Sequence, residues 1–160
     1  CGRLPGERSC RSAPTCFGRG FDGGKKIKGI KIHLAVDKYG FPLAINVSPA
    51  NVHDSKGIVP VLHQLAGFKG TALGDLSYRG QRLSKAGEAL GITLQPSAGG
   101  HGGTFIPEGI RVERSLAWIS RYRRLNTIFE RGHLVAFIEI AFVSILSRRL
   151  VRLVTQEISA

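Results

Sequence analysis

Two carboxylates, Asp75 and Glu113, have the setting that metal-dependent phosphodiester chemistry requires. Asp75 follows a short apolar run at residues 71–73, which predicts it at the carboxyl end of a buried strand, where sheet proteins commonly meet ligands. Glu113 is the only acid between Glu108 and Glu130. Carboxylate oxygens bind Mg²⁺, and paired ions stabilise the attacking and leaving oxygens when a phosphodiester is cut. The pair therefore indicates a divalent-metal site.

Each carboxylate also has a structural interpretation. An aspartate after a strand commonly serves a turn or a helix cap, and a single helical glutamate commonly makes surface ion pairs. Residues 113, 117, 120 and 124 return to nearly the same angle on a helix, so Glu113 is predicted on a stripe with Ala117, Ser120 and Arg124. A metal site requires Asp75 and Glu113 to converge in space.

The charge balance indicates a polyanionic partner. The 160 residues contain 23 Lys and Arg against 11 Asp and Glu, a net charge of +12. A small domain this basic is typical of nucleic-acid binding, with an anionic membrane as the second candidate and a basic protein without such a partner as the alternative. The arginines at 121, 123 and 124 are expected to contact phosphate, although a solvated face is also consistent with the pattern.

The remaining bulk features favour one globular domain in a reducing, cytoplasmic compartment. Cys1, Cys10 and Cys16 match no zinc, redox or disulfide pattern. The longest apolar stretch, residues 134–146, is too short to cross a bilayer and includes Glu139, so it is expected to be a core helix. The absence of Met and the start at Cys1 predict a fragment of a longer protein.

The elements that position these residues are predicted to form a mixed α/β fold. Residues 1–20 are expected to be a loop or disordered, before a domain over 21–155. Residues 30–36 alternate as a half-buried strand and pair with 43–47 in an antiparallel hairpin. The other predicted elements are a helix from Asp54 or Ser55 to about 65, a strand at 71–73, a helix at 81–90, a strand at 92–95, a loop at 97–109, and helices at 110–125 and 134–153.

Several conspicuous residues are interpreted as structural. Asp37 lies in the hairpin turn, and Asp54 is expected to cap a helix, although the segment around it can also shape the rim of a site. Trp118 is expected to pack in the core, with packing against a base as the alternative. The glycine-rich run around His101 lacks the strand-to-helix context of a phosphate-binding loop.

Four sequence blocks resemble, in the same order, the catalytic domain of a large group of bacterial insertion-sequence transposases. They cover roughly residues 21–150, and the order of the four is more specific than any one block. The blocks are FDGGKKIKG at 21–29 with HLAVD at 33–37 and GFPL at 40–43, PANVHD at 49–54, DLSYRG at 75–80, and VERSLAW at 112–118 with RRL at 123–125.

The resemblance implies an RNase H-like fold and a metal-dependent DNA transposition reaction. The enzyme would hydrolyse DNA at element ends, and the freed 3′-hydroxyl would attack target DNA with the help of Mg²⁺ or Mn²⁺. Asp75 and Glu113 would be catalytic metal ligands, matching the family's second Asp and its Glu. Double-stranded DNA would be the partner, with a homodimer in the active assembly at the bacterial nucleoid. The candidate DNA contacts are Lys25, Lys26, Lys28, Arg79, Arg114, Arg121 and Arg124.

Two departures from the family pattern predict a damaged site. The family's first catalytic Asp lies on a strand upstream of the 21–29 block, but residues 1–20 contain no Asp, and Asp22 belongs to the block itself. Glu7 is the only upstream acid, in a context that does not predict a strand, so the first strand and its ligand are expected to be missing through truncation or a reading-frame change. Seven residues after Glu113, where relatives often have Lys or Arg, stands Ser120, beside Arg121.

Three functions compete on this evidence. The first is an active transposase catalytic domain. The second is a catalytically inactive, DNA-binding remnant of such a transposase, which the missing first Asp favours. The third is a ribosomal-type RNA-binding protein, which explains the charge but not the four ordered blocks.

Overall fold

A computed structural model of the chain describes residues 4–68, 70–74, 81–96 and 109–158. Within these ranges the chain forms seven strands and six helices. They are β1 Leu4–Ser12, β2 Gly20–Asp22, β3 Ile27–Val36, β4 Pro42–Pro49, α1 Asp54–Gly57, α2 Val59–Gln64, β5 Gly70–Gly74, α3 Gln81–Ala89, β6 Ile92–Pro96, α4 Gly109–Ile119, α5 Arg123–Asn126, β7 Thr127–Ile128 and α6 Leu134–Ile158.

The long strand β3 organises the sheet. One edge of β3 pairs antiparallel with β1. The other edge pairs antiparallel with β2 over its first residues and with β4 over the rest. The end of β1 pairs parallel with β7, while β5 and β6 form a parallel pair in which β5 contacts β1. Helices pack against this mixed sheet, which confirms the predicted mixed α/β fold.

The prediction of a loop over residues 1–20 is wrong for Leu4–Ser12, which form β1. Glycine and proline are depleted in strands, and the segment shows no apolar alternation. Its order comes instead from eight residue pairs with β3, running from Leu4↔Val36 to Arg11↔Gly29. The sheet therefore has an amino-terminal strand where the sequence predicted that the family's first strand is missing.

The prediction of a half-buried β3 is also wrong, because both faces of this strand are covered. Ile30, Ile32 and Leu34 belong to one core cluster with α4 and α6, and Ala35 belongs to a second cluster with α2 and α3. The first cluster also contains Cys10, whose free thiol has its pKa raised by burial.

Two predicted helices are interrupted. The helix expected from about 54 to 65 is split into α1 and α2 at Ile58, because Pro60, which has no amide proton to donate, stands in the first turn of α2. Its N-cap is His53 rather than Asp54 or Ser55, and the His53 ring accepts a hydrogen bond from the Ser55 amide at 3.3 Å. The helix expected over 110–125 ends at Ile119, and a separate turn follows as α5.

The other predicted elements are confirmed: the β3–β4 hairpin, β5, α3, β6 and the long α6. Four residues near the start of α6, from Leu134 to Phe142, are buried. Ile140 and Val143 are largely exposed, so the prediction of a core helix over residues 134–146 is confirmed in part. Of the glycine-rich loop, residues 97–108 lie outside the described ranges, and Gly109 already opens α4. Within the described ranges, no helix has both the length and the apolar character to span a bilayer.

Candidate functional site

Two carboxylates, Glu7 on β1 and Glu113 on α4, line one cavity of about 370 Å³. They come from elements more than a hundred residues apart in the chain, so the fold brings them together. From the sequence, Glu7 was not expected to be a metal ligand, because the residues around it do not predict a strand. The other lining residues are Arg8, Ser9, Lys25, Leu116, Ala117 and Ser120.

The approach of α4 to β1 depends on the small side chain of Gly6. A Cβ atom at Gly6 would lie 2.8 Å from both methyl carbons of Val112, a distance that real Cβ atoms do not tolerate. Val112 therefore packs directly over the strand that carries Glu7. Arg8 joins the same two elements, because its guanidinium donates a hydrogen bond to the Leu116 carbonyl at 3.2 Å.

The helical stripe predicted for Glu113 is confirmed in part. Ala117 and Ser120 line the same cavity as Glu113. Arg124 does not, because α4 ends at Ile119 and Arg124 lies on α5, with its guanidinium 6.0 Å from the centre of the Phe137 ring.

Asp75 and Arg79, two further residues of the predicted site, lie outside the described residues. Gly74, directly before Asp75, ends β5, and β5 contacts the strand that carries Glu7. Because Asp75 itself is not described, its convergence with Glu113 stays a prediction.

The turn between β2 and β3 and the first residues of β3 carry the three candidate lysines. Asp22 organises it, because its carboxylate accepts hydrogen bonds from the amides of Gly24 and Lys25 and from the Ser9 hydroxyl. The Ser9 hydroxyl and the Lys25 amide lower the pKa of Asp22. Lys25 extends from the turn to within 3.5 Å of Glu7. Lys26 has a left-handed backbone with a φ of 52°, and Lys28 is exposed on β3.

A buried lysine that the sequence did not single out joins two of the family blocks. Lys31 is 5% exposed, and a lysine this buried requires partners. Its ammonium donates to the Asp54 carboxylate at 2.6 Å and to the Val52 carbonyl at 3.1 Å, and it lies 3.8 Å from Asp22. The block at 49–54 is thus anchored to β3. The structural interpretation of Asp54 is confirmed, through an ion pair rather than a cap. The only sequence signal is a lysine between the apolar residues Ile30 and Ile32 of the strand.

A second cavity, of about 500 Å³, lies between α4 and α6 and is lined mainly by arginines. Arg114 and Arg121, both predicted DNA contacts, lie on its α4 side, and Trp118 lies between them. Trp118 is half-buried and packs against the main core, which confirms the predicted core packing in part. The Arg114 guanidinium lies 5.1 Å from the centre of the Trp118 ring.

The hairpin turn after β3 supports both helices of this arginine cavity. Asp37 shapes the turn by accepting hydrogen bonds from the amides of Tyr39 and Phe41, at 2.8 and 2.9 Å, which confirms its predicted structural role. The Tyr39 carbonyl accepts a hydrogen bond from Arg114 at 3.2 Å. The Phe41 ring lies 5.4 Å beneath the guanidinium of Arg149, on α6.

The donor atoms in the carboxylate cavity suit a hard divalent cation. Glu7 and Glu113 offer oxygens, which Mg²⁺ and Mn²⁺ prefer over nitrogen and sulfur. Across residues 4–68, 70–74, 81–96 and 109–158, no group of three or more His, Cys, Asp and Glu side chains is placed to hold a metal ion.

The arrangement of strands and helices defines an RNase H-like fold. The catalytic core domain of BIV integrase superposes with a TM-score of 0.53, covering 88% of this chain and 81% of that domain at 17% sequence identity. At this identity the likeness establishes the fold.

The chain belongs to the transposase DDE domain family, whose sequence profile matches residues 10–96. One relative is a putative transposase for insertion sequence element IS402 from Burkholderia cepacia, 29% identical over 115 residues. That match covers 64% of this chain and 54% of the relative, so the chain spans about half the length of the curated relative it matches. The resemblance inferred from the four blocks is thereby confirmed.

Proposed function

We propose that this chain is the catalytic core of a transposase that cuts DNA at the ends of an insertion element and joins those ends to target DNA. The observation that carries the proposal is the shared cavity of Glu7 and Glu113 on an RNase H-like fold. Membership of the transposase DDE domain family supports it. The proposed core begins at β1 rather than at residue 21, because β1 is paired into the sheet.

Asp75, Glu113 and Glu7 are the proposed metal ligands, with Glu7 in the role of the first carboxylate. Bound Mg²⁺ or Mn²⁺ would polarise the phosphate and stabilise the attacking and leaving oxygens. Arg8 and Lys25 line the same cavity and would hold the phosphate by charge. The further proposed DNA contacts are Lys26, Lys28, Arg79, Arg114, Arg121 and Arg124.

The inactive remnant remains the second candidate, and one observation favours it. Lys25 lies 3.5 Å from Glu7 and forms an ion pair with the carboxylate that would have to bind metal. Such a protein would bind DNA through its positive charge without cutting it.

The proposed partner is double-stranded DNA at the bacterial nucleoid, bound by a homodimer. The support for self-association is a set of apolar side chains on α6 that are largely exposed. They are Ile140, Val143, Leu150, Val151 and Ile158.

Metal-dependent nicking of duplex DNA that carries the parent element's ends tests the proposed function. The unaltered chain is expected to cut this DNA with Mg²⁺, and Asp75→Asn and Glu113→Gln are each expected to slow cutting about 100-fold, since losing a metal ligand removes several kcal/mol of transition-state stabilisation. Glu139→Gln, which removes an equally exposed carboxylate from α6, is the matched control and should cut normally.

Glu7→Gln distinguishes the two candidates further. If Glu7 is the first ligand, this change slows cutting as strongly as Glu113→Gln and also weakens the rise in melting temperature that Mn²⁺ produces. Absence of Mg²⁺-dependent nicking by the unaltered chain would overturn the catalytic proposal and leave the remnant. Nicking that survives Asp75→Asn would overturn the proposed role of Asp75 as a metal ligand.

A further inference from the structure

The arginine cavity between α4 and α6 contains more positive charge than its described surroundings balance. Five arginines line it: Arg114, Arg121, Arg148, Arg149 and Arg152. None of the described lining residues is acidic, and no ion pair joins any of the five to a described carboxylate. Guanidinium groups that converge without counter-charges repel each other, so the cavity is best stabilised by an external anion.

The two halves of the cavity are held in place by the same turn. Arg114 is fixed by the Tyr39 carbonyl and Arg149 by the Phe41 ring, both next to Gly40, while Ser115 donates a buried hydrogen bond to the Gly40 carbonyl at 2.6 Å. Guanidinium groups already positioned in this way lose less side-chain freedom when they bind phosphate oxygens.

The position of the cavity relative to the carboxylates indicates the ligand. Glu113, Ala117 and Ser120 line the carboxylate cavity, while Arg114, Trp118 and Arg121 line the arginine cavity. Glu113 and Ala117 stand one residue before Arg114 and Trp118 on α4, so the two cavities lie on faces about 100° apart on a helix about 10 Å across. Successive phosphates of one strand rise by about 3.4 Å along the duplex axis. A strand with one phosphate at Glu113 therefore has another within reach of Arg114 a few nucleotides away.

We propose that this arginine cavity binds the phosphodiester backbone of duplex DNA, a few nucleotides from the phosphate held by the carboxylates, without reading the base sequence. The inference rests on the proposed function, because it takes DNA as the substrate. It adds Arg148, Arg149 and Arg152 of α6 to the DNA-binding surface, none of which the sequence singled out.

The salt dependence of DNA binding tests this assignment. Affinity of the full chain for a 30-base-pair duplex of arbitrary sequence is measured in EDTA over a range of salt concentrations. Because the slope of log affinity against log salt is about −0.9 for each neutralised phosphate, Arg148→Gln with Arg152→Gln is expected to make the slope shallower by about 2. Arg148→Lys with Arg152→Lys, which keeps both charges, should retain most of the slope.

Lys56→Gln with Lys85→Gln provides the matched control, because it removes two exposed charges from α1 and α3, neither of which lines the arginine cavity. The control slope should change by less than half as much. Equal slopes in the glutamine variant and the control would overturn the assignment. The binding measurement is made without metal, so a failure of the chain to cut DNA does not change its outcome. If the unaltered chain cuts DNA but the glutamine variant keeps the unaltered slope, only the proposal for the arginine cavity is refuted.

Discussion

Replacing Gly29 with alanine is expected to lower the free energy of unfolding by about 3 kcal/mol and to leave little folded protein at 37 °C. Gly29 lies in β3 opposite Arg11 of β1. A Cβ atom there would overlap the Cys10 carbonyl oxygen and lie 3.1 Å from the Arg11 Cα. Both are backbone atoms of a paired strand, so the overlap can be relieved only by separating β1 from β3.

Urea unfolding followed by circular dichroism measures this effect. Gly23→Ala is the matched control, because a Cβ atom at Gly23 meets nothing within 4 Å, and its stability should stay within about 0.5 kcal/mol of the unaltered chain. A Gly29→Ala protein as stable as this control would mean that β1 is not paired to β3 as described.

Acidification from pH 7 to pH 4 is expected to remove about 3 kcal/mol of stability through His33. Burial, outweighing the opposing charge of Asp54, lowers the pKa of His33 from 6.5 to about 4. The unfolded chain therefore takes up this proton before the folded chain does, so stability is full above pH 6.5 and falls as the pH drops towards 4. Each pH unit of this difference corresponds to about 1.4 kcal/mol.

The hydrogen bonds of His33 explain why the fold rejects the proton. The Ser48 hydroxyl donates to the Pro49 carbonyl, so it accepts from Nε2–H of His33 at 2.9 Å. Nδ1 is then the unprotonated nitrogen, and it is buried with no hydrogen-bond partner among the described residues. Gly57 of α1 packs directly against the ring, which leaves no room for water on that side. A proton on Nδ1 would create a buried, unpaired donor.

The difference in unfolding free energy between the unaltered chain and His33→Gln isolates this residue, because the acidic groups titrate in both proteins and glutamine keeps one amide donor for Ser48. That difference should fall by about 3 kcal/mol between pH 7 and pH 4. His63→Gln, at an exposed position on α2, controls for the removal of a histidine. A difference that stays constant with pH would refute the buried neutral histidine.

Local periodicity allowed a large part of the fold to be predicted. The apolar positions of residues 30–36 predicted β3 and its hairpin, and the spacing of Glu113, Ala117 and Ser120 predicted a common face. Both predictions depend only on residues that are close in sequence. The geometry of a helix or a strand fixes the direction in which the side chains of such residues point.

The end of α4 could not be predicted in this way. Apolar periodicity continues past Ile119 to Leu125, and no Gly or Pro lies between them to mark an end. Leu125 is buried as the periodicity predicts, but it belongs to the separate helix α5 and not to α4. Arg124, on the same short helix, therefore does not share the predicted stripe with Glu113. Tertiary packing decided this boundary, and a helical pattern alone carries no information about it.

The strand β1 was missed for a related reason. Its Pro5 and Gly6 oppose a strand by propensity, and its order comes from pairing with β3 and from the packing of Val112 over Gly6. These contacts are distant in sequence, so Glu7 could not be recognised as a partner of Glu113 before the fold was known.

The pairing of β1 with β7 has a consequence for translation. Arg11 pairs with Thr127 and Ser12 with Ile128, more than a hundred residues later. At a synthesis rate of about 5–20 residues per second, β1 leaves the ribosome on the order of ten seconds before that partner exists. During this interval a nascent chain exposes an unpaired strand edge, the kind of surface that chaperones shield and that aggregation exploits.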